Sequence, residues 1–594
     1  MLTRYEFETL RVRAANPQAS QRAIAQEAGI SLGSVNKAVR ELSAAGLLNE
    51  IGEPTAAAQA ALAPYRIGNA IILAAGVGAR IAPFSFERPK AMFEVHGQVL
   101  IERLIEQLQA AGIQQIVIVV GYMKEAFFYL EERYGVTIVV NTEYATRNNH
   151  SSLWAARRFL GNSLIISSDQ YFTQNIFPAY SYESWCTVSP IEAPSSEETV
   201  VVDSAGRVLE VREDAAGDYL MQGPCYLDRA FSETYLSILQ AEYANSDTAP
   251  KLWETIFSQH AQELPMTVRL VEPGVIQEFD YLADLTAFDR DFFTNVDSRI
   301  LDNICKTLQC EREQICDVRP VKAGLTNLST VFAVEGKRYI YRHPGNGTDK
   351  IINREAETFA LTVARDLGLD DTFIHEDPIE GWKISRYIDG CSELDYTNRD
   401  QVAQALSMAR TLHTSGKVSP WSFDFFSEGV KIAGLLRGCG YPLPRDFDAL
   451  MARVEAIACR MRTLAGTPVL CHNDFYGPNF LVRGDQMRLI DWEYAAMGDP
   501  ICDLGNFVAQ GSGYSVAETL SILPLYYGRE ATQDEQWHAL AAVSVVGWYW
   551  YVWAMYKEAM GNPVGEWLYT WYKAATTYAK AAEKRLHQAP GTNN

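Results

Sequence analysis

Apolar side chains near the start of the chain repeat at helical spacing. Residues 17–28 and 32–45 each have this pattern, and Gly29, Ile30 and Ser31 form a turn between them. The apolar run that begins at residue 46 follows the second helix closely. This order predicts a helix-turn-helix with a wing-like segment behind it.

From residue 67 the pattern changes to short apolar runs that alternate with helical segments. The predicted strands are 70–74, 115–120, 137–141 and 164–166, and the predicted helices are 99–111 and 124–134. Strands that alternate with helices in this way predict a parallel, Rossmann-like sheet with helices packed on its faces.

The C-terminal part has a third pattern, in which strands precede a long helical region. The predicted strands are 317–322, 329–334 and 338–342. Residues 539–556 form an uncharged run of 18 residues, which is near the lower length for a membrane span. Because Trp and Tyr crowd the middle of this run and not its ends, we predict a buried helix.

Length and composition limit the class of protein. A chain of 594 residues exceeds a single core, and we predict three domains at 1–66, 67–290 and 295–594. The formal net charge of −21 argues against a nucleic acid or an anionic membrane as the partner of the whole chain. The ten cysteines include no CxxC pair, which is typical of reduced thiols and predicts a cytoplasmic protein. The sequence leaves open whether the protein forms a homo-oligomer.

The most informative stretch lies between residues 469 and 507. An apolar run ends at His472-Asn473-Asp474, Asn479 follows five residues later, and a second apolar run leads to Asp491. Phosphoryl transfer from ATP needs a carboxylate that orients the attacking hydroxyl and oxygen ligands that hold Mg²⁺. Asp474 suits the first role, and Asn479 and Asp491 suit the second.

These HxDxxxxN and IDxE motifs resemble the catalytic segment of the aminoglycoside phosphotransferase and choline kinase superfamily. The resemblance implies a bilobal, protein-kinase-like domain that uses ATP and Mg²⁺. Arg342 stands where the family holds the ATP phosphates, with Glu355 as the expected ion-pair partner and Glu357 as a competing choice. The expected ligands in the phosphate-covering turn are Gly324, Thr326 and Asn327.

Two tryptophans indicate a cationic substrate for this domain. Trp550 and Trp553 lie three residues apart on one helical face, similar to the WxxW segment of choline kinases. Aromatic faces attract a trimethylammonium ion, so the resemblance implies choline as the acceptor. Aromatic core packing is the alternative interpretation.

The middle segment carries a second phosphate-binding pattern. The run LAAGxGxR, followed by Pro89 and Lys90, resembles the signature of nucleotidyltransferases that make nucleoside-diphosphate sugars and CDP-alcohols. Glycines let backbone amides approach a triphosphate, and Arg80 and Lys90 neutralise it. The expected nucleotide-binding residues are Leu73, Ala74, Ala75, Gly76, Val77 and Gly78.

The same resemblance implies the remaining ligands. Asp169 and Asp280 are expected to hold Mg²⁺, which needs few carboxylates besides the phosphates. The expected ligands of the base or ribose are Asn148, Asn149 and Ser152. An Asx-rich loop before a helix capped by Ser151 is the alternative.

A quaternary ammonium in the middle domain would need aromatic faces and one negative charge. The candidates are Tyr226, Trp253 and Glu254. Core aromatics are the competing interpretation of the two rings.

The N-terminal segment resembles the winged helix-turn-helix modules of MarR-type bacterial regulators. Residues 1–65 contain six basic and six acidic residues, so electrostatic attraction to DNA is weak. Packing, dimerisation or regulation are the favoured roles for this segment.

Together these features predict a multidomain α/β protein with two activities. A choline kinase would make phosphocholine from choline and ATP, and a cytidylyltransferase would convert phosphocholine and CTP to CDP-choline. Two alternatives remain open. In the first, the enzyme acts on ethanolamine or on a sugar instead of choline. In the second, the chain is a DNA-binding regulator whose enzyme-like domains sense metabolites.

Overall fold

The computed structural model describes residues 1–191, 198–212, 216–321, 327–344, 353–561 and 564–588. The chain divides into two compact units. The first contains residues 1–305 with the short segments 311–313 and 318–320, and the second contains the rest of the chain.

The first unit begins with a winged helix. Its helices are α1 (Arg4–Ala15), α2 (Gln21–Ala28), α3 (Leu32–Ala44) and α4 (Ala56–Leu62). An antiparallel bridge between Leu48 and Pro54 closes the wing. The helix-turn-helix is confirmed, and α1 is an element that the sequence pattern did not predict. Its buried side chains Phe7 and Leu10 pack against Leu42 of α3.

The rest of the first unit is built on a mixed sheet. The strands of this part of the unit are β1 (Asn69–Ala74), β2 (Glu94–Val95), β3 (Gln98–Val99), β4 (Ile116–Val120), β5 (Thr137–Val140), β6 (Ser163–Ser167), β7 (Gln170–Phe172), β8 (Trp185–Ser189), β9 (Thr199–Val202), β10 (Val208–Arg212), β11 (Tyr219–Leu227), β12 (Thr267–Leu270) and β13 (Ile276–Glu278). The strands β2 and β3 form a separate pair, and so do β7 and β13. Its helices are α5 (Leu100–Ala110), α6 (Tyr129–Tyr134), α7 (His150–Ala155), α8 (Arg229–Tyr243), α9 (Trp253–Gln259), α10 (Leu282–Phe288), α11 (Phe292–Asn295) and α12 (Arg299–Leu308).

The main path of this sheet has the order β10-β9-β11-β6-β1-β4-β5. The strands β6, β1, β4 and β5 are parallel, as the alternating pattern predicted, and β1 lies in the middle with both faces covered. The antiparallel part from β9 to β11 was not predicted. The predicted helix 124–134 is also shorter than expected, because its first turn is a 3₁₀ segment and α6 begins only at Tyr129.

The second unit has a small strand-rich part and a large helical part. Its strands are β14 (Ile315–Pro320), β15 (Asn327–Val334), β16 (Lys337–Pro344), β17 (Phe373–Glu376), β18 (Lys383–Arg386), β19 (Val469–Cys471), β20 (Phe480–Arg483), β21 (Gln486–Leu489) and β22 (Ala496–Gly498). Its helices are α13 (Arg354–Asp366), α14 (Arg399–His413), α15 (Phe425–Gly438), α16 (Phe447–Leu464), α17 (Ile501–Ala509), α18 (Val516–Tyr527), α19 (Gln533–Ala559) and α20 (Trp567–Gln588). The five-stranded sheet has the order β14-β15-β16-β18-β17, and α13 follows β16 in the chain.

Helix α19 forms the centre of the helical part. In length and composition it could cross a membrane, yet 94% of its most apolar 18-residue segment is buried inside the protein. Gly547 lets α20 approach closely, since a Cβ atom there would lie 2.8 Å from the backbone nitrogen of Ala575. The prediction of a buried helix over 539–556 is confirmed.

Candidate active sites

A glycine turn at the end of β1 opens the site in the first unit. Gly78 has a φ of +65°, and a Cβ atom there would lie 3.4 Å from the Cβ of Lys90. A side chain at this position would be strained by the backbone conformation, which glycine adopts freely. The turn therefore brings the segment of Lys90 against the end of the strand.

Four charged residues converge beside this turn. The ammonium of Lys90 lies 2.8 Å from the carboxylate of Asp169 and 3.6 Å from that of Asp280. The guanidinium of Arg80 lies 3.3 Å from Asp280. The buried Oδ1 atom of Asp169 has no hydrogen-bond partner within the described ranges. Two converging carboxylates, one with a free oxygen, form a donor set that suits Mg²⁺.

A cavity of about 490 Å³ surrounds these four residues. Of the predicted nucleotide-binding residues, it is lined by Leu73, Ala74, Ala75, Gly76, Gly78, Asn148, Asn149 and Ser152. Val77 does not line it and is 40% exposed. The sequence pattern missed Asn141 and Arg147, which also line the cavity. The sequence gives only a weak signal for these two residues, because polar residues in loops have many other roles.

Asn149 connects this cavity with a second one. It is the N-cap residue of α7, so the alternative interpretation, in which Ser151 caps this helix, is wrong on the identity of the cap. The side-chain amide of Asn149 donates to Glu254 at 3.1 Å, and its carbonyl oxygen accepts the backbone N–H of Trp253 at 2.7 Å. Ser151 donates instead to the backbone oxygen of Asn148.

The second cavity, of about 520 Å³, is rich in carboxylates. Glu198, Glu254 and Glu278 line it, together with Trp253 and Tyr281. Burial raises the pKa of Glu254 to about 7. The sequence pattern found Glu254 and missed the other two acids, which lie on segments distant in the chain.

Tyr226 was assigned to this cavity incorrectly. Its side chain is 1% exposed and packs beside Trp185, at 6.2 Å between ring centroids, in the hydrophobic core. Tyr226 and Cys225 are neighbours on β11, so their side chains point to opposite faces of the sheet, and Cys225 lines the cavity. Trp253 lines the cavity but is only 2% exposed.

In the second unit, Asp503 holds the turn that follows β19. Its carboxylate accepts the backbone N–H groups of His472 and Asn473 at 2.8 and 2.7 Å, and the imidazole of His413 lies 2.9 Å away. Asn473 has a φ of +62°. These bonds support the unusual backbone conformation that presents Asp474.

Asp474 lies in a hydrogen-bonded pocket. Its two carboxylate oxygens accept bonds from Gln510 at 2.9 Å and from Asn479 at 3.0 Å. Burial raises the pKa of Asp474 to about 7, and the nearby charge of Asp491 acts in the same direction. A carboxyl group of this pKa can accept a proton near neutral pH.

The β20–β21 hairpin brings Asn479 and Asp491 together. The backbone N–H of Ile490 donates to the backbone oxygen of Asn479 at 2.9 Å, so Asp491 follows directly beside it. Asp491 has a φ of +64° and a side chain that is 37% exposed. An amide oxygen and a partly exposed carboxylate, side by side, form a second donor set that suits Mg²⁺.

Arg342 occupies a buried charge cluster next to this hairpin. Its guanidinium hydrogen-bonds to Glu357 at 2.6 and 2.8 Å and to Glu376 at 2.8 Å, and it lies 3.7 Å from Asp491. The expected partner Glu355 is exposed and makes no hydrogen bond to Arg342. The competing choice, Glu357, is therefore the ion-pair partner of Arg342.

Lys383 is a further cation of this cluster, at 3.0 Å from Glu357, and the sequence pattern missed it. Burial alone would push the pKa of Glu357 upward, but the charges of Arg342 and Lys383 hold it well below its usual range. The predicted ligands Gly324 and Thr326 lie outside the described residues. Asn327 begins β15.

Aromatic side chains of α19 and α20 are connected with Asp474 through a chain of hydrogen bonds. Trp550 stacks on Trp571 at 5.8 Å between ring centroids, and Tyr494 lies 5.5 Å from Trp550. We call Trp550, Trp571 and Tyr494 the aromatic cluster. The indole N–H of Trp550 donates to Asn506, whose side-chain oxygen also accepts a bond from Gln510, the partner of Asp474.

Trp553 is placed less favourably for an external cation. Trp550, Trp553 and Trp571 are each 4% exposed, so burial does not distinguish them. The difference is that the ammonium of Lys557 already lies 5.5 Å from the ring centroid of Trp553. The indole N–H of Trp571 is buried without a hydrogen-bond partner in the part of the chain that the structure describes.

Three segments of the chain match known protein families. Residues 2–49 match the family Winged helix-turn-helix DNA-binding, residues 70–213 match the MobA-like NTP transferase domain, and residues 317–541 match the Phosphotransferase enzyme family. The 2-aminoethylphosphonate cytidylyltransferase of Lancefieldella rimae is 33% identical over 228 residues, which cover 38% of this chain and 93% of the relative. The choline-phosphate cytidylyltransferase of Streptococcus pneumoniae is 34% identical over 215 residues, which cover 36% of this chain and 94% of the relative.

The chain belongs to this cytidylyltransferase family. Its cytidylyltransferase domain follows a winged helix and precedes a domain that matches the Phosphotransferase enzyme family. Protein LicA of Haemophilus influenzae is 26% identical to the phosphotransferase domain over 193 residues, which cover 31% of this chain and 71% of the relative. The predicted fusion and the three fold types are confirmed.

Proposed function

We propose that the chain phosphorylates choline with ATP and then transfers CMP from CTP to the phosphocholine, with release of pyrophosphate and CDP-choline. The observation that supports the proposal is the presence of two separate clusters in one chain, each with oxygen donors that suit Mg²⁺ beside a cationic side chain. One is built around Lys90, Asp169 and Asp280, and the other around Asp474, Asn479 and Asp491.

In the phosphotransferase domain, Asp474 orients the choline hydroxyl and accepts its proton as the hydroxyl oxygen attacks the γ-phosphorus of ATP. Gln510 and Asn479 hold the carboxylate in place through its two oxygens. Arg342 neutralises the ATP phosphates, and Glu357 fixes the orientation of its guanidinium.

In the cytidylyltransferase domain, a phosphate oxygen of phosphocholine attacks the α-phosphorus of CTP and pyrophosphate leaves. No nucleophilic side chain is required. Lys90 and Arg80 stabilise the charge that develops on the phosphates, and the backbone of the glycine turn carries the triphosphate. Asn149 lies between the nucleotide cavity and Glu254, where it connects the two substrates.

Magnesium fits both centres, because each offers two oxygen donors beside a cationic side chain. Asp169 and Asp280 would hold it in one domain, and Asn479 and Asp491 in the other. When bound, magnesium supplies positive charge that neutralises the phosphate oxygens.

Choline is the preferred amine because of the aromatic cluster. A trimethylammonium ion has no N–H group and is attracted to ring faces such as those of Trp550 and Trp571. Ethanolamine is the second candidate. The three carboxylates of the second cavity favour it, since a primary ammonium donates hydrogen bonds to carboxylates.

Purified full-length protein with ATP, CTP, Mg²⁺ and one amine at a time tests the proposal. Mass spectrometry should detect phosphocholine and then CDP-choline, with a higher kcat/KM for choline than for ethanolamine. The absence of both products would contradict the proposal. Efficient turnover of ethanolamine alone would keep the reaction type and change the amine.

The domain limits 1–66, 67–290 and 295–594 are part of this proposal. Under it, the winged helix supports or regulates the enzyme. A DNA-binding regulator is the rival, and a gel-shift experiment at low salt distinguishes the two, because only the rival requires tight, sequence-selective binding.

A further inference from the structure

The winged helix is docked onto the cytidylyltransferase sheet by an aromatic contact. Tyr182 stacks on Tyr65 at 5.6 Å between ring centroids and lies 5.5 Å from Phe7 of α1. Arg4 of α1 forms an ion pair with Glu183 at 3.3 Å. The contact therefore brings α1 against the segment that leads into β8.

A cavity of about 290 Å³ lies at this junction. Its charged lining residues are Arg4, Glu8 and Arg11 from the winged helix and Glu183 and Arg269 from the transferase. Arg11 is paired with Glu8 at 2.9 Å and lies 3.7 Å from Glu27, which does not line the cavity, and Arg4 is paired with Glu183. One arginine of the lining then remains without a carboxylate partner in the described ranges, in a chain whose net charge is −21.

Arg269 is that remaining cation. It lies on β12, 4.9 Å from the ring centroid of Trp185, and forms no ion pair with any carboxylate in the described ranges. Burial lowers the pKa of Arg269, and the charge of Arg11 across the junction lowers it further. Arg269 and Arg11 line the same cavity, and a half-buried guanidinium without a carboxylate partner is stabilised when an anion binds beside it.

We propose that this junction binds a small phosphate-bearing anion, held by Arg269 of the transferase and Arg11 of the winged helix. The cavity is smaller than the 490 Å³ nucleotide cavity, which favours a phosphate ester or pyrophosphate over a nucleoside triphosphate. Guanidinium groups bind phosphate through paired, charge-assisted hydrogen bonds. The ion pairs of Arg4 and Arg11 are partly exposed and can exchange partners at low cost.

The site has a direct connection to the transferase centre. The strand β12 that carries Arg269 leads along the chain to β13, which carries Glu278 and is followed by Asp280. An anion at the junction would therefore contact both the winged helix and the strand that leads to the substrate cavity. This arrangement gives the winged helix a role as the second half of an effector site.

The test compares Arg269→Met with Arg22→Met in the full-length protein. Arg22 is an exposed arginine on α2 that does not line the cavity, so both variants lose one positive charge. Thermal unfolding is followed in EDTA with added inorganic phosphate, pyrophosphate or phosphocholine. The wild type and Arg22→Met should be stabilised by the anion, and Arg269→Met should bind it at least about tenfold more weakly.

Two further readouts make the result decisive. In anion-free buffer Arg269→Met should unfold at a higher temperature than the wild type, because an unfavourable charge is removed. Arg269→Lys should keep part of the anion effect. The anion that raises the unfolding temperature most shows whether the site binds pyrophosphate, a product of the proposed reaction, or a phosphomonoester. Equal stabilisation of Arg269→Met and Arg22→Met, or no stabilisation of the wild type, would overturn the proposal and leave the proposed reactions untouched.

Discussion

The guanidinium of Arg342 makes two parallel hydrogen bonds to the carboxylate of Glu357, at 2.6 and 2.8 Å, while Glu355 on the same helix points to solvent. The pair is buried, and Lys383 and Arg354 add two more contacts to Glu357. The carboxylate of Glu357 thus contacts three cations beside the proposed ATP site, and Glu376 supplies a second negative charge to Arg342.

Replacing Glu357 with Gln should destabilise the phosphotransferase domain by about 3–5 kcal/mol, because it leaves buried cations without their counter-ion. Choline phosphorylation should fall strongly for the same reason. Urea unfolding and a coupled ADP assay measure the two effects. Glu355→Gln is the matched control, and its stability and activity should equal those of the wild type. Equal loss in both variants would contradict the assignment.

The pH dependence of phosphorylation should follow Asp474. Its raised pKa of about 7 means that the base form is lost as the pH falls through 7, so kcat/KM should decrease below that pH. The hydrogen bond from Gln510 opposes the rise, so Gln510→Leu should move the pH profile to higher values. A profile that Gln510→Leu leaves in place would argue against Asp474 as the base.

The two reactions should be separable by single substitutions. Asp474→Asn should lower phosphorylation of choline by a factor of about 10²–10⁴ and leave CMP transfer to added phosphocholine unchanged. Asp169→Asn should have the opposite effect, because it changes the carboxylate that Lys90 contacts. Separate assays of ADP and pyrophosphate release measure this, and EDTA should stop both. A variant that loses both activities while it stays folded would contradict two independent sites.

The aromatic cluster should determine the choice of amine. Trp550→Leu removes a ring face worth about 2 kcal/mol to a desolvated cation, so KM for choline should rise roughly thirtyfold. The effect on ethanolamine should be smaller. Trp553→Leu is the comparison, since Lys557 already occupies the neighbourhood of that ring. Equal increases for both amines would indicate a purely structural role of Trp550.

Glu254 should make acceptor binding in the transferase depend on pH. Its pKa of about 7 means that the carboxylate charge is lost as the pH falls through 7, and KM for phosphocholine should then increase. Glu254→Gln should have a high KM at all pH values. Glu233→Gln, an exposed acid on α8, is the control and should behave as the wild type. Initial rates at varied phosphocholine measure both.

The residues of the proposed active sites could be identified from the sequence because they are neighbours in the chain. Asp474 and Asn479 are five residues apart, and the hairpin that brings Asp491 back to them is encoded by two apolar runs and a short turn. Gly78, Arg80 and Lys90 likewise belong to one short segment. Such local spacing is visible without knowledge of the fold, and it also identified both enzyme families.

Contacts between distant segments were decided by the tertiary structure. Glu355 and Glu357 are both acidic, but a step of two residues along a helix is a rotation of about 200°, so the two side chains point to nearly opposite faces. Only the packing of α13 decides which of them points inward. Tyr226 lies on the core face of β11 because the strand pairs in a particular register, and a shift of one residue would reverse that face. The partners Glu376, Lys383 and Gln510 come from separate elements. They come together because their elements pack in a shared core, and the sequence pattern of any single segment does not predict such contacts.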